Sequence, residues 1–185
     1  MNTNDRRVLK TQKALRSALL LLLNEKDLHS ITVKELVNTA DVHRATFYLH
    51  YQDVYDLYSQ MEKELLEDLT QLISADGNHS SDSIYLAIVD FVCGNKDLVD
   101  LAFGQGGNIQ LRNKICDLLI QNYLEIWVTE DDLNEITEQM RFVTAYHIQG
   151  CLGIIEKWVK NNFQIPKEMI VELIKKADIN IGSLY

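Results

Sequence analysis

One proline and eight glycines are all the chain-breaking residues among 185. So few interruptions, in a chain rich in Leu, Ile, Glu, Lys and Ala, favour long helices over turn-laden sheets. Cysteine is scarce as well: Cys93, Cys116 and Cys151 lie far apart and form no Cys-x-x-Cys pair. An odd, scattered set argues against a disulfide framework and fits a reducing compartment, each thiol serving as a small core hydrophobe. Long apolar runs are missing; the longest pure one, 18–23, falls far short of a membrane span. The opening MNTNDRR lacks the apolar stretch of a signal peptide. Together these absences predict a cytoplasmic protein.

Catalytic fingerprints are absent too. No P-loop, G-x-S-x-G, H-E-x-x-H or dinucleotide-binding pattern occurs, so the sequence predicts no enzyme and no cofactor. The acidic run EDDLNEITE (130–138) lacks the spacing of a calcium loop and reads as a solvated helix start. His29, His50 and His79 show no metal-ligand grouping, and no metal site is expected.

What is present is a core and a charge asymmetry. Hydrophobic residues make up 46% of the chain, enough to fold. The net charge is −9. Yet residues 1–52 hold eight Lys and Arg against five Asp and Glu, or +3, which leaves −12 for the remainder. A basic end on an acidic body suggests that the first part alone meets a polyanion.

Periodicity places helices at 6–26 (Leu15, Ala18, Leu19 and Leu22 on one face), then at about 83–94, 96–104, 108–128, 131–162 and 167–181. No β-alternation stands out. The expected fold is all-α: a three-helix head (1–52) and a larger helical body (53–185), with SADGNHSSDS (74–83) the clearest loop.

Within the head, Thr32 and Glu35 make a capping box, and Ile31 and Leu36 a hydrophobic staple, so a helix begins at Val33. It should stop near Asp41, a residue type that tolerates the left-handed region. The next helix starts at His43 or Arg44 and runs to His50. Phe47 and Tyr51 share an inward face, which leaves Arg44 and Tyr48, with His43 and Thr46, outside. Two short helices across a tight turn over 32–51 form a helix-turn-helix. An outward Arg suits a guanine edge, while Thr, Tyr and His suit phosphates. The alternative is an ordinary helical hairpin in a core. Asp53 then caps a fourth helix to about Ser74, with Leu57, Met61, Leu65, Leu69 and Leu72 in its stripe.

The stretch TVKELVNTADVHRATFYLHYQDVYDL (32–57) resembles the signature of the TetR family of bacterial transcriptional regulators, through Ala40, Val42, Thr46, Phe47, Tyr48, His50, Tyr51 and Leu57. The resemblance implies that Thr32, Thr46, Tyr48 and His50 contact phosphates or support the recognition helix, and that His43, Arg44 and Ala45 face base edges of double-stranded, pseudo-palindromic DNA. Three positions depart from the family pattern: Asp41 replaces a Gly, His43 replaces a Ser cap, and Val54 replaces a Lys that would hold a phosphate. The backbone amides that open the fourth helix remain as a phosphate site there.

The stretch AYHIQGCLGIIEKWVKNN (145–162) resembles the C-terminal domain of the same family, in particular a subgroup from low-GC Gram-positive bacteria. This implies a homodimer through the last two helices, with Gly150 and Gly153 allowing close approach and Ala145, Ile154 and Trp158 packing nearby. It also implies a small-molecule effector pocket, for which Tyr58, Met61, Phe91, Phe103, Tyr123, Trp127, Phe142, Tyr146 and His147 are the candidates. The expected function is a regulator, a repressor released by a small ligand. The competing reading is a protein-interaction adaptor that keeps the fold without sequence-specific DNA binding.

Overall fold

A computed structural model describes residues 6–74, 81–104, 107–130 and 135–181. Among them the only regular elements are helical: nine α-helices and one short 3-10 turn. The first is α1 (Arg6–Leu23), which buries Leu15, Ala18, Leu19, Leu20 and Leu22. It ends a turn earlier than the periodicity predicts, because the Glu25 and Lys26 amides both close onto the Leu22 carbonyl. A 3-10 turn (Leu28–Ser30) leads into α2 (Val33–Thr39) and α3 (Arg44–Tyr48). The fourth helix, α4 (Val54–Ser74), begins at the head and runs into the body.

The α2 start is held as its sequence requires. The Glu35 amide donates to Thr32 Oγ1 at 3.2 Å, and the Thr32 amide donates to Glu35 Oε2 at 3.0 Å. The staple residues Ile31 and Leu36 are both buried. At the other end Asp41 takes φ 51°, the left-handed region. Its amide reaches Asn38 O and the Val42 amide reaches Val37 O at 3.0 Å, the paired bonds of a Schellman stop.

The body comprises α5 (Ser81–Gly94), α6 (Lys96–Phe103), α7 (Ile109–Glu130), α8 (Glu138–Lys160) and α9 (Lys167–Ile181). Helix α8 packs between α7 and α9, and α9 leans on α5. Helix α1 packs on α4 and α6 as well as on α2, so the buried apolar residues join into one cluster from Leu15 to Ile174. Among the described residues no helix is long and apolar enough to cross a membrane.

One expected helix begins later than its periodicity suggests. The sequence predicts a helix over 131–162, yet α8 opens at Glu138, where Thr137 Oγ1 accepts the Met140 amide at 3.2 Å. A hydroxyl cap at that position specifies a start, and apolar spacing alone does not locate it. Residues 131–134 lie outside the described residues.

Candidate nucleic-acid interface

Helix α3 sits on the surface with one face sunk. Phe47 is fully buried and Tyr51, just past the helix, nearly so. Their ring centroids are 5.7 Å apart. The opposite side carries Arg44, Ala45, Tyr48 and Leu49, all exposed, with Thr46 and His50 half-buried at its margin. The inward pair follows from the i, i+4 spacing.

The turn before α3 is set by His43. Its Nδ1 accepts the Ala45 amide at 3.2 Å, in the position a Ser hydroxyl would take. The imidazole thus caps the helix despite its size. The bond requires a ring whose proton is on Nε2.

Arg44 and Tyr48 are coupled. The guanidinium Nη2 donates to the Tyr48 hydroxyl at 3.1 Å, and its carbon lies 5.5 Å from the ring centroid. Together they present an oriented cationic group backed by an aromatic plane.

Two acid-bearing networks flank this face. Lys26 Nζ donates to Glu35 Oε1 at 2.6 Å, and the Thr32 hydroxyl donates to Glu35 Oε2 at 2.8 Å. These partners, Lys26 first, hold the Glu35 carboxyl down to a pKa of about 2. Thr32 is exposed, but its hydroxyl hydrogen is already directed to that carboxylate. At the start of α4, Asp53 Oδ1 accepts the Asp56 amide and Asp56 Oδ2 accepts the Gln52 amide, both at 2.8 Å. The Gln52 amide and the Gln60 side chain keep the Asp56 carboxyl below its ordinary pKa. The Asp53 carboxylate already occupies the Asp56 amide, one of the amides at this helix start that were expected to meet phosphate.

Behind α3, Arg16 of α1 donates to Glu64 of α4 at 3.0 Å and also faces Tyr51. Burial works against the charge of Arg16, but Glu64 and Tyr51 more than offset it and raise its pKa. Burial likewise raises the Tyr51 pKa, against the pull of Arg16. One guanidinium therefore ties α1, the segment just past α3 and α4 together. Neither Arg16 nor Glu64 carries a motif, and sequence reasoning missed both.

The candidate body residues separate into three groups. Tyr123 and His147 line a cavity of about 90 Å³ between α4, α5, α7, α8 and α9, with Ile73, Ile88, Cys151 and Ile174. His147 is buried, its ring 5.1 Å from that of Tyr123 and 3.8 Å from Cys151 Sγ. Met61 and Phe103 are core residues elsewhere, and Phe91 packs against that core from a half-buried position. Tyr58 borders a separate cleft with Lys26, Tyr55 and Asn108. Phe142 and Tyr146, expected in the pocket, are 74% and 69% exposed, and that expectation is corrected: they project from the outer face of α8. The Trp127 side chain lies outside the described residues.

That outer face also carries Gly150 and Gly153, with open space where a Cβ would stand, while Ala145 and Ile154 are half-buried at its edge. Trp158 is not on it. Its indole Nε1 donates to Ile165 O at 2.8 Å and its ring meets Phe163 edge-on at 5.0 Å, so it secures the α8–α9 turn within the chain. The expectation of Trp158 at a dimer contact is corrected accordingly.

Residues 79–177 match a family model described as the transcriptional regulator C-terminal region, of TetR type. The chain belongs to the TetR family of transcriptional regulators. A TetR-family protein of this kind is a binding protein, not an enzyme. The HTH-type transcriptional regulator YxbF of Bacillus subtilis (strain 168) is 38% identical over 71 residues, covering 36% of this chain and 19% of that protein. This chain therefore matches about a fifth of that relative's length. The fatty acid degradation regulator FadR from Bacillus halodurans shares the fold at 15% identity, with a TM-score of 0.63 over 94% of this chain and 96% of that one. NalD, the secondary repressor of the MexAB-OprM multidrug efflux pump in Pseudomonas aeruginosa, shares it at 17% identity, with a TM-score of 0.62 over 94% and 98%.

Proposed function

We propose that this TetR-family regulator is a homodimeric repressor that binds a pseudo-palindromic DNA operator through α3 and is released by a small-molecule effector. The observation that carries the reading is the outward face of α3, where Arg44 is oriented by Tyr48 on a helix whose other side is anchored by Phe47 and Tyr51. A guanidinium so held suits bidentate contact with a guanine edge, and Thr32, Thr46, Tyr48 and His50 suit phosphate or supporting roles. NalD, described as a repressor, and DhaS, described as an operon activator, share the fold, so the repressor sense belongs to the proposal itself. The α8 and α9 faces bearing Phe142, Tyr146, Gly150, Gly153, Met169 and Leu173 offer the apolar, glycine-opened surface a symmetric partner requires. The cavity lined by Tyr123 and His147 is the candidate effector site, and α4 contributes to its wall. An occupant that shifts α4 would move the Arg16–Glu64 tie, and with it the spacing of the two heads.

The test is binding to host genomic fragments as a function of salt. A regulator of this kind loses affinity steeply as salt rises, by a factor on the order of 10³ between about 50 and 200 mM for roughly six phosphate contacts. No binding at low salt overturns the reading. The carboxylates of Asp41, Asp53 and Asp56 beside α3 favour a second reading, an adaptor that binds a protein partner through the same face. Salt-insensitive binding to a protein, without DNA binding, would establish it.

A further inference from the structure

Leu49 is 67% exposed, more than Leu9 at 54% or Leu21 at 60% elsewhere in the head. Its place follows from helix geometry. It stands two residues after Phe47 and two before Tyr51, and at 3.6 residues per turn it points roughly 160° away from each. The backbone stays helical through this point: the Leu49 amide bonds Thr46 O and the Tyr51 amide bonds Phe47 O at 3.0 Å. Since Phe47 and Tyr51 are anchored in the core, Leu49 occupies the centre of the outward face.

Ala45 precedes it by four residues and is also exposed, so the two form an apolar strip along α3. The strip runs between hydrogen-bonding margins, Arg44 and Tyr48 on one side and Thr46 and His50 on the other. No carboxylate occurs between Val42 and Gln52.

A strip one side chain wide is far smaller than the roughly 800 Å² each partner contributes to a standard protein interface. It matches a different apolar target. In the major groove the thymine 5-methyl is the apolar group a base pair presents, bordered by donors and acceptors on the neighbouring base edges. We propose that Leu49, backed by Ala45, packs on the 5-methyl of a thymine and sets base preference beside Arg44. The inference rests on α3 entering the major groove, and it adds a thymine requirement that this reading lacks.

The experiment selects duplexes from a random-sequence library with the full-length protein, then replaces each thymine of the selected duplex singly by deoxyuridine, which removes only the methyl. Wild type should lose about three- to fivefold in affinity at one or two positions per half-site, the value of one buried methyl. Leu49→Ala should bind the thymine duplex less tightly and be indifferent to the same replacements. Leu49 is exposed, so the variant should keep the wild-type melting temperature, which confirms that a binding change is not a folding change. If every deoxyuridine replacement is neutral in wild type, or is equally costly in Leu49→Ala, this inference is overturned while DNA binding stands. If no duplex is enriched, the DNA-binding reading and this inference fall together.

Discussion

Arg16 of α1 donates to Glu64 of α4 at 3.0 Å and so joins the two helices. Removing the carboxylate with Glu64→Ala strands a half-buried guanidinium. Glu64 is itself more than a third exposed, so solvent screens part of the effect. The expected cost is about 1–2 kcal/mol, or about 2–6 °C in melting temperature. An unchanged thermal transition would show that the pair is only a surface contact.

Arg44 and Tyr48 should act as a unit on DNA. Arg44→Ala is expected to weaken operator binding by about 1–3 kcal/mol and relax preference at one base pair. Tyr48→Phe, which keeps the ring and removes the acceptor, should cost less. The double variant should cost less than the sum, because the hydroxyl works through the guanidinium. Fluorescence anisotropy on labelled duplexes measures all three, and strict additivity would separate the roles.

The α2 capping box predicts an acid-side transition. The folded Glu35 pKa of about 2 lies below its ordinary value of 4.5. A depressed carboxyl stabilises the fold above its unfolded pKa, and that stability is lost as pH falls from about 4.5 towards 2. Glu35→Gln should therefore be less stable than wild type at pH 7 and should narrow the gap as pH drops through that window. Circular dichroism melts at a series of pH values would show parallel curves if Glu35 contributed nothing.

Tyr146→Asp combined with Gly150→Arg places charge and bulk on the outer face of α8. Light scattering should then report a monomer for the variant and a dimer for the wild type. Trp158→Phe is the contrast: it removes the indole bond to Ile165 and should cost about 1 kcal/mol in stability with the dimer intact. A dimer that survives the first change would move the interface elsewhere.

The head was legible in the sequence because its signals are local. A capping box, a staple, an Asp at the left-handed stop and an i, i+4 aromatic pair each act within a few residues, and tertiary packing cannot easily reassign them. The body's signals are not of that kind. Helix α8 is apolar on more than one side, with Ile148, Leu152 and Ile155 inside and Phe142 and Tyr146 outside. Aromatic character alone cannot tell a core face from a face awaiting a partner. Trp158 lay beside interface candidates in sequence, yet its indole found a backbone carbonyl seven residues on. Leu49 could have been found, since the spacing that turns Phe47 and Tyr51 inward must turn the residue between them outward.

The indole bond of Trp158 has an optical consequence. Both tryptophans of the chain, Trp127 and Trp158, lie beyond residue 52, so the head contributes no indole emission. Trp158 is fixed in a dry site with its ring nitrogen engaged, where its emission is blue-shifted relative to water. Indole emission, excited selectively over tyrosine, therefore reports on adding a duplex only events beyond the head, and a colour change there would make the coupling between the two ends visible without a label.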